Sequence, residues 1–194
     1  MGKTPPRKLR DLFSDYEGEK WVSISDMKED GPYLFDTKEY LNPKAVKEYR
    51  VKVAPENSIL LSFKLTIGRV KIAHTDLTTN EAIAHFIQTD KSPPYEYTYL
   101  YLKYFNYNEL GNTSSIATAV NSKIIKAMPI LVPDIKTLTK FQEIVSPLFN
   151  SIRSYQLQNK NLIELRDTLL PKLMSGEIEL PDDLEVDEHA KLLQ

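Results

Sequence analysis

The chain has 194 residues, 41% of them hydrophobic, enough for one well-cored domain with an appendage or for two small domains. It has no cysteine, which excludes disulfides and cysteine-ligated zinc and fits a reducing cytoplasm. The net charge is −2, but seven acids against one base fall in residues 177–194, so residues 1–176 carry a net +4, compatible with nucleic acid without demanding it.

Met1 to Arg10 lacks the apolar stretch of a signal peptide, and no apolar run approaches the length of a membrane span. The expectation is a soluble, cytoplasmic protein. Residues 1–134 read as a compact β-rich domain. Trp21–Ile24 and Tyr49–Val53 are strand candidates, and the run Ile59–Phe63, apolar but for Ser62, predicts a buried strand. Gly68, between Ile67 and Val70, predicts a tight turn or a close backbone approach. Ala82–Ile87 is another strand. Pro93 and Pro94 break the chain, and a helix is predicted over Tyr95–Asn108. Residues 111–122 are small and polar and read as a loop, and Met128–Pro133 is a last extended segment.

A long helix follows. Asp134 is its N-cap candidate and Gly176 its stop. From Ile135 to Met174 its length is about 60 Å. Leu138, Phe141, Val145, Leu148, Ile152, Tyr155, Asn159, Leu162, Arg166, Leu169 and Leu173 succeed one another at alternating spacings of three and four, the seam of a helix that pairs with another helix. Pro147 interrupts the donor pattern and should kink or divide it. Asn159 and Arg166, as polar seam residues, would set register and partner number. No second helix of that length is predicted, so the partner is expected on another molecule. The alternative is packing on its own domain, which such a rod would overhang, since ~130 residues give a radius of gyration of only ~14 Å. Residues 177–194 are an acidic tail expected to be disordered.

Sites for catalysis are sparse. His74, His85 and His189 have no metal-ligand spacing, the glycines are isolated, and no G-x-S-x-G elbow occurs. Ser92-Pro93-Pro94-Tyr95 matches the Asp/Asn/Ser-Pro-Pro-Tyr motif of amino-methyltransferases, but the glycine-rich turn for S-adenosylmethionine is missing, and a proline-led helix start explains it better. Asp26 with Asp36-Thr37-Lys38 loosely fits a metal-dependent nuclease, a pattern that arises by chance at 27% charged residues. Tyr95, Tyr97, Tyr99, Tyr101, Tyr104 and Tyr107 could stack on bases, but burial of Tyr97, Tyr101, Tyr104 and Phe105 against a sheet is favoured.

Several segments, in order, resemble one family. Trp21-Val22-Ser23-Ile24-Ser25-Asp26-Met27 resembles the W-(V/I)-x-I-x-D-(M/L) opening of the target recognition domain in specificity subunits of type I restriction–modification enzymes. Asn57–Ser62 is similar to its G-D-I-L-(I/L)-S, Ile67–Val70 to I-G-(K/R)-V, and Thr79–Ala84 to T-N-Q-A-I. Asn121–Pro133 resembles the domain's closing motif, and Leu162–Leu180 the end of the conserved spacer helix. Glu81 replaces a common glutamine, and the family's glycine-rich stretch is reduced to Asn112–Ala117.

The resemblance implies an α+β fold: a β-rich target recognition domain over 1–134, then a long C-terminal coiled-coil spacer helix over 135–176. A full specificity subunit carries two domains and two helices; this chain has one of each. The implied function is sequence-specific recognition of double-stranded DNA, with no catalytic residue, metal or cofactor of its own. Lys64, Arg69, Lys71 and Lys123 are candidates for phosphate, and Thr66, Asn112, Thr113, Ser114 and Ser115 for base edges. For each of these, a solvated loop residue is an equal reading, and Asn80 is expected to bridge backbone rather than touch DNA. A homodimer would form through Leu148, Ile152, Tyr155, Asn159, Leu162, Arg166, Leu169 and Leu173. Methyltransferase (M) subunits, methylating adenine with S-adenosylmethionine, and a restriction (R) subunit would join it. The rival readings are a coiled-coil interaction module without a DNA role and a DNA-modifying enzyme in itself.

Overall fold

The computed structural model describes residues 1–110 and 120–179, in two compact units: 1–154, and 155 onward. The first unit runs β1 (Phe13–Ser14), β2 (Glu19–Val22), β3 (Tyr33–Leu34), β4 (Glu39–Leu41), α1 (Pro43–Glu48), β5 (Val53–Ala54), β6 (Ile59–Ser62), β7 (Val70–Ala73), β8 (Leu77–Thr79), β9 (Ile83–Phe86), α2 (Tyr95–Tyr104) and α3 (Ser122–Ala127), then enters α4 (Ile135–Met174).

The strands make two sheets, ordered β1-β4-β2-β8-β5 and β3-β7-β6-β9. The pairs β2–β8 and β3–β7 are parallel and the rest antiparallel. Strand β6 shows why its first three residues are all apolar. Side chains alternate between faces. Ile59 and Leu61 enter a core with Tyr33, Ile72, Leu102, Ile125 and Phe149, between the four-stranded sheet and the helices. Leu60 enters a second core with Val22, Leu34, Leu77 and Ile83, between the two sheets. A third core of Trp21, Leu41 and Val51 takes Phe13, Val46 and Tyr49 on its flank.

The predicted strand Tyr49–Val53 does not form. The segment is taken up by the end of α1 and its exit: Asn42 caps that helix upstream, its Oδ1 accepting from Lys44 N at 3.0 Å, with Pro43 in the first turn. Arg50 ends that helix at φ +49, and Val51 N donates back to Val46 O at 2.9 Å, turning Val51 into the core. Only Val53–Ala54 is strand. The predicted helix from Tyr95 stops at Tyr104, and a 3-10 turn follows at Tyr107–Glu109. The buried tyrosine of this helix is Tyr99; Tyr101 and Phe105 flank the helix-side core half-buried, Tyr97 and Tyr101 donate to the carbonyls of Leu131 and Pro129 at 2.5 and 3.1 Å, and Tyr104 is exposed. Helix α3 was not expected; Asn121 Oδ1 caps it, accepting from Lys123 N and Ile124 N at 2.9 and 3.1 Å.

Asp134 caps α4 as expected, accepting from Lys136 N and Thr137 N at 3.0 and 3.1 Å. The helix is not divided at Pro147. Its first half does not present the whole heptad seam. Leu138 is buried, Val145 packs on the helix-side core, and Phe141 meets the Tyr97 ring edge-on. The domain-facing stripe then continues through Phe149 and Arg153, while Leu148 and Ile152 stay exposed. The spacings three, four, four, four wind the domain-facing stripe around the helix in the sense opposite to a strict 3.5-residue repeat, so the two stripes part after Val145. Arg153 lies 4.6 Å from the Tyr33 ring centroid and bonds Glu56 and Asn57.

In the second unit the helix continues from Tyr155, with Leu162, Leu165 and Leu169 exposed and Leu173 half-buried. Asn159 is exposed, and Arg166 Nη2 pairs with Asp167 at 2.7 Å. Gly176, at φ +74, closes the helix: its N donates to Leu173 O, and Glu177 N to Lys172 O at 3.0 Å. The expectation of a disordered tail from 180 onward lies outside the described residues, as do Asn112, Thr113, Ser114 and Ser115.

Candidate nucleic-acid interface

Residues 63–69 form the connection between β6 and β7. Its base is fixed from both sides. Phe63 N donates to Ala82 O at 2.9 Å, Gly68 N to Ser62 O at 3.1 Å, and Arg69 N to Ser62 Oγ at 3.1 Å. Gly68 sits at φ +89 against the Tyr107 ring, where an added Cβ would approach to 3.1 Å; this is the close approach expected of it. Lys64 is exposed at the tip and Thr66 half-buried. Arg69 Nη1 donates to Ile24 O at 2.9 Å, so its guanidinium is partly committed to holding the loop.

Lys71 has a different role from the one expected. It stands opposite Leu60, on the face turned to the second sheet, and is 4% exposed. Its Nζ donates to the carbonyls of Glu29 and Gly31, and burial lowers its pKa. A buried ammonium already bonded to two carbonyls is not available to phosphate, and Lys71 is a structural residue. Lys71→Ala should cost about 2 kcal/mol by stranding those carbonyls, read as a lower urea midpoint.

Lys123 is exposed on α3, apart from the loop in sequence and element. A groove of about 430 Å³ borders the loop and is lined by Lys28, Arg69 and Lys103 together with Glu29 and Asp30. Asn80 Oδ1 accepts from Ala82 N at 3.0 Å, the backbone-bridging role expected of it. The loop's apolar tip, Leu65, was missed, because an apolar letter next to a buried strand reads as core.

The decoys resolve structurally. Asp26 accepts from Ser23 N and Oγ, both at 2.7 Å, and Asp36 from Thr37 N and the Tyr40 hydroxyl; that carboxylate pushes the tyrosine up to about 12. Pro94 is the N-cap of α2, and Tyr95 hydroxyl lies 3.3 Å from that of Tyr33. Among the described residues no His, Asp or Glu cluster could hold a metal. His85 Nε2 lies 2.7 Å from Thr79 Oγ1. Burial, aided by the nearby N-terminal amine and Lys52, lowers its pKa from 6.5 to about 4. Folded His85 is therefore neutral where the unfolded chain is already protonated. Stability is complete above pH ~6.5 and should fall by roughly 3 kcal/mol as the pH drops towards 4. Urea midpoints across that window check this: His85→Gln should flatten the decline, and an equal decline in both proteins would refute it.

Comparison with known proteins is consistent over nearly the whole chain. A family profile described as "Type I restriction modification DNA specificity domain" matches residues 1–165. The HindI specificity subunit of Haemophilus influenzae is 29% identical over 181 residues, 91% of this chain and 39% of that protein. The MjaIX specificity subunit of Methanocaldococcus jannaschii is 31% identical over 152 residues, 76% of this chain and 35% of that protein. The chain thus spans under two-fifths of the length of these curated relatives. Among solved structures, the HsdS subunit from Thermoanaerobacter tengcongensis superposes with a TM-score of 0.56 at 17% identity, covering 92% of this chain and 42% of that one. A chain from a structure of complex assembly and conformational transition in the type I R-M system gives 0.57 at 16%, covering 89% and 42%. At these identities the likeness establishes the fold.

Proposed function

Because this chain belongs to the family of type I restriction–modification DNA specificity domains, we propose that it is a DNA-reading subunit holding one target recognition domain and one spacer helix, and that it reads one half of a bipartite duplex target. The observation that carries this reading is the family match, which runs through the β-rich unit and on into the helix. The recognition unit would enter the major groove, where every base pair presents a distinct edge. Lys64 and Lys123 would take phosphates, with Arg69 sharing its charge between a phosphate and Ile24 O. Thr66 and the segment Asn112–Ser115 are the polar candidates for base edges.

Two copies would pair through the exposed apolar residues of the helix, and the pair would space two recognition domains. A twofold protein reads a twofold target, here an interrupted palindrome. Methyltransferase and restriction subunits would supply the chemistry on the DNA. The chain contributes position and no bond-making step, and its place is the cytoplasm, with the DNA. No helix among the described residues is long and apolar enough to cross a membrane.

The test is selection from a random duplex pool by the chain reconstituted with methyltransferase subunits. A bipartite motif is expected. Equal binding of selected and random duplexes would instead favour a coiled-coil interaction module. Methyl transfer by the chain alone, with labelled S-adenosylmethionine, would make it an enzyme and overturn the reading. Within the complex, Lys64→Ala should reduce the slope of log affinity against log salt by about one and leave thermal stability unchanged. An unchanged slope removes Lys64 from the phosphate set.

A further inference from the structure

Leu65 is the most exposed large apolar side chain among the described residues, and it also sits at φ +62. Thr66 N donates to Lys64 O at 2.6 Å, closing a three-residue γ-turn around it. Both features oppose folding: leucine gains nothing from water, and a residue with a Cβ is strained in the left-handed region. A glycine or asparagine would serve a solvated turn better. The strain is held by a rigid base, since Ser62 binds Gly68 and Arg69 and the Arg69 side chain binds Ile24 O. An apolar group presented in advance on a fixed turn loses little freedom on binding, and backbone strain of this sort collects at contact sites.

The neighbours narrow what the tip contacts. Lys64 on one side is a cation, and Thr66 on the other can donate or accept a hydrogen bond. One apolar group between polar ones matches the major-groove edge of an A·T pair, where the thymine 5-methyl lies among hydrogen-bonding atoms. An exposed leucine can also act as a wedge between base pairs, and unstacking of 2-aminopurine separates the two. We propose that Leu65 determines specificity by packing on the 5-methyl group of a thymine in the half-site. This rests on the DNA-reading function above and adds to it the residue, the contact and the base.

The experiment uses the chain reconstituted with its methyltransferase subunits and a random duplex pool. Wild type should select a motif with a position held to thymine. Leu65→Ala, and separately Leu65→Gly, which also relieves the positive φ, should select the same motif with that position relaxed. Deoxyuridine at that position removes only the methyl group; it should weaken wild type about fourfold, the value of one buried methyl-sized group, and leave both variants nearly unaffected. The proposal is overturned if the variants select an equally sharp motif, or if deoxyuridine weakens all three proteins alike. Unstacking of 2-aminopurine that needs Leu65 but not the methyl also overturns it, in favour of a wedge. If wild type selects no motif, the DNA-reading function itself has failed, an outcome distinct from these.

Discussion

Replacing Leu162 and Leu169 together with glutamate should leave a monomer. Both side chains are exposed on the second unit's helix, and both sit on the heptad seam. In an antiparallel pair of identical helices the change removes four leucines. At about 1.5–3 kcal/mol each, the loss is roughly 6 kcal/mol or more, about four orders of magnitude in Kd. Buried carboxylates would add to it. Sedimentation at micromolar concentration should show a dimer for the parent and a monomer for the variant. The melting of the β-rich unit should not change, because neither residue belongs to it. Recognition of the twofold motif should be lost, with single half-sites still bound weakly. A parent that is already monomeric would remove the paired helix from the proposal, and a variant that stays dimeric would place the interface elsewhere.

The second large effect separates two adjacent residues. Phe149→Ala should destabilise the first unit by about 3–5 kcal/mol and lower its Tm by roughly 10 °C. Phe149 is 6% exposed, and its ring meets Tyr33 and Tyr99 edge-on at centroid distances of 6.5 and 5.7 Å. Leu148→Ala, one residue away and exposed, should change Tm little, within about 0.5 kcal/mol. It should instead weaken dimerisation. If the two substitutions melt alike, the packing described for the first half of α4 is wrong.

Much of this was legible in the sequence because it depends on local periodicity. The run Ile59–Phe63 announces a buried strand, and alternation along β6 explains why Ile59, Leu60 and Leu61 are all apolar: each face meets a core. Asp134 and Gly176 marked the ends of the long helix because capping is short-range chemistry. The failures share another origin. Tyr49–Val53 has strand-like letters, but Asn42-Pro43 upstream starts a helix and the left-handed Arg50 ends it, so the segment follows its neighbours. The charge of Lys71 reads, along the chain, as a phosphate contact. Its register opposite Leu60 turns it inward, and register is a property of two strands.

The amino-acid order alone determined the family, the β-rich domain followed by a rod, and the absence of cysteine chemistry, because motif order, apolar period and composition are all read along the chain. Tertiary structure alone decided where the rod's seam divides, that Lys71 supports the fold while Lys64 stays exposed, and that a leucine stands bare on a strained turn. Those outcomes depend on which faces meet across the sheets and helices, and distant segments set them jointly.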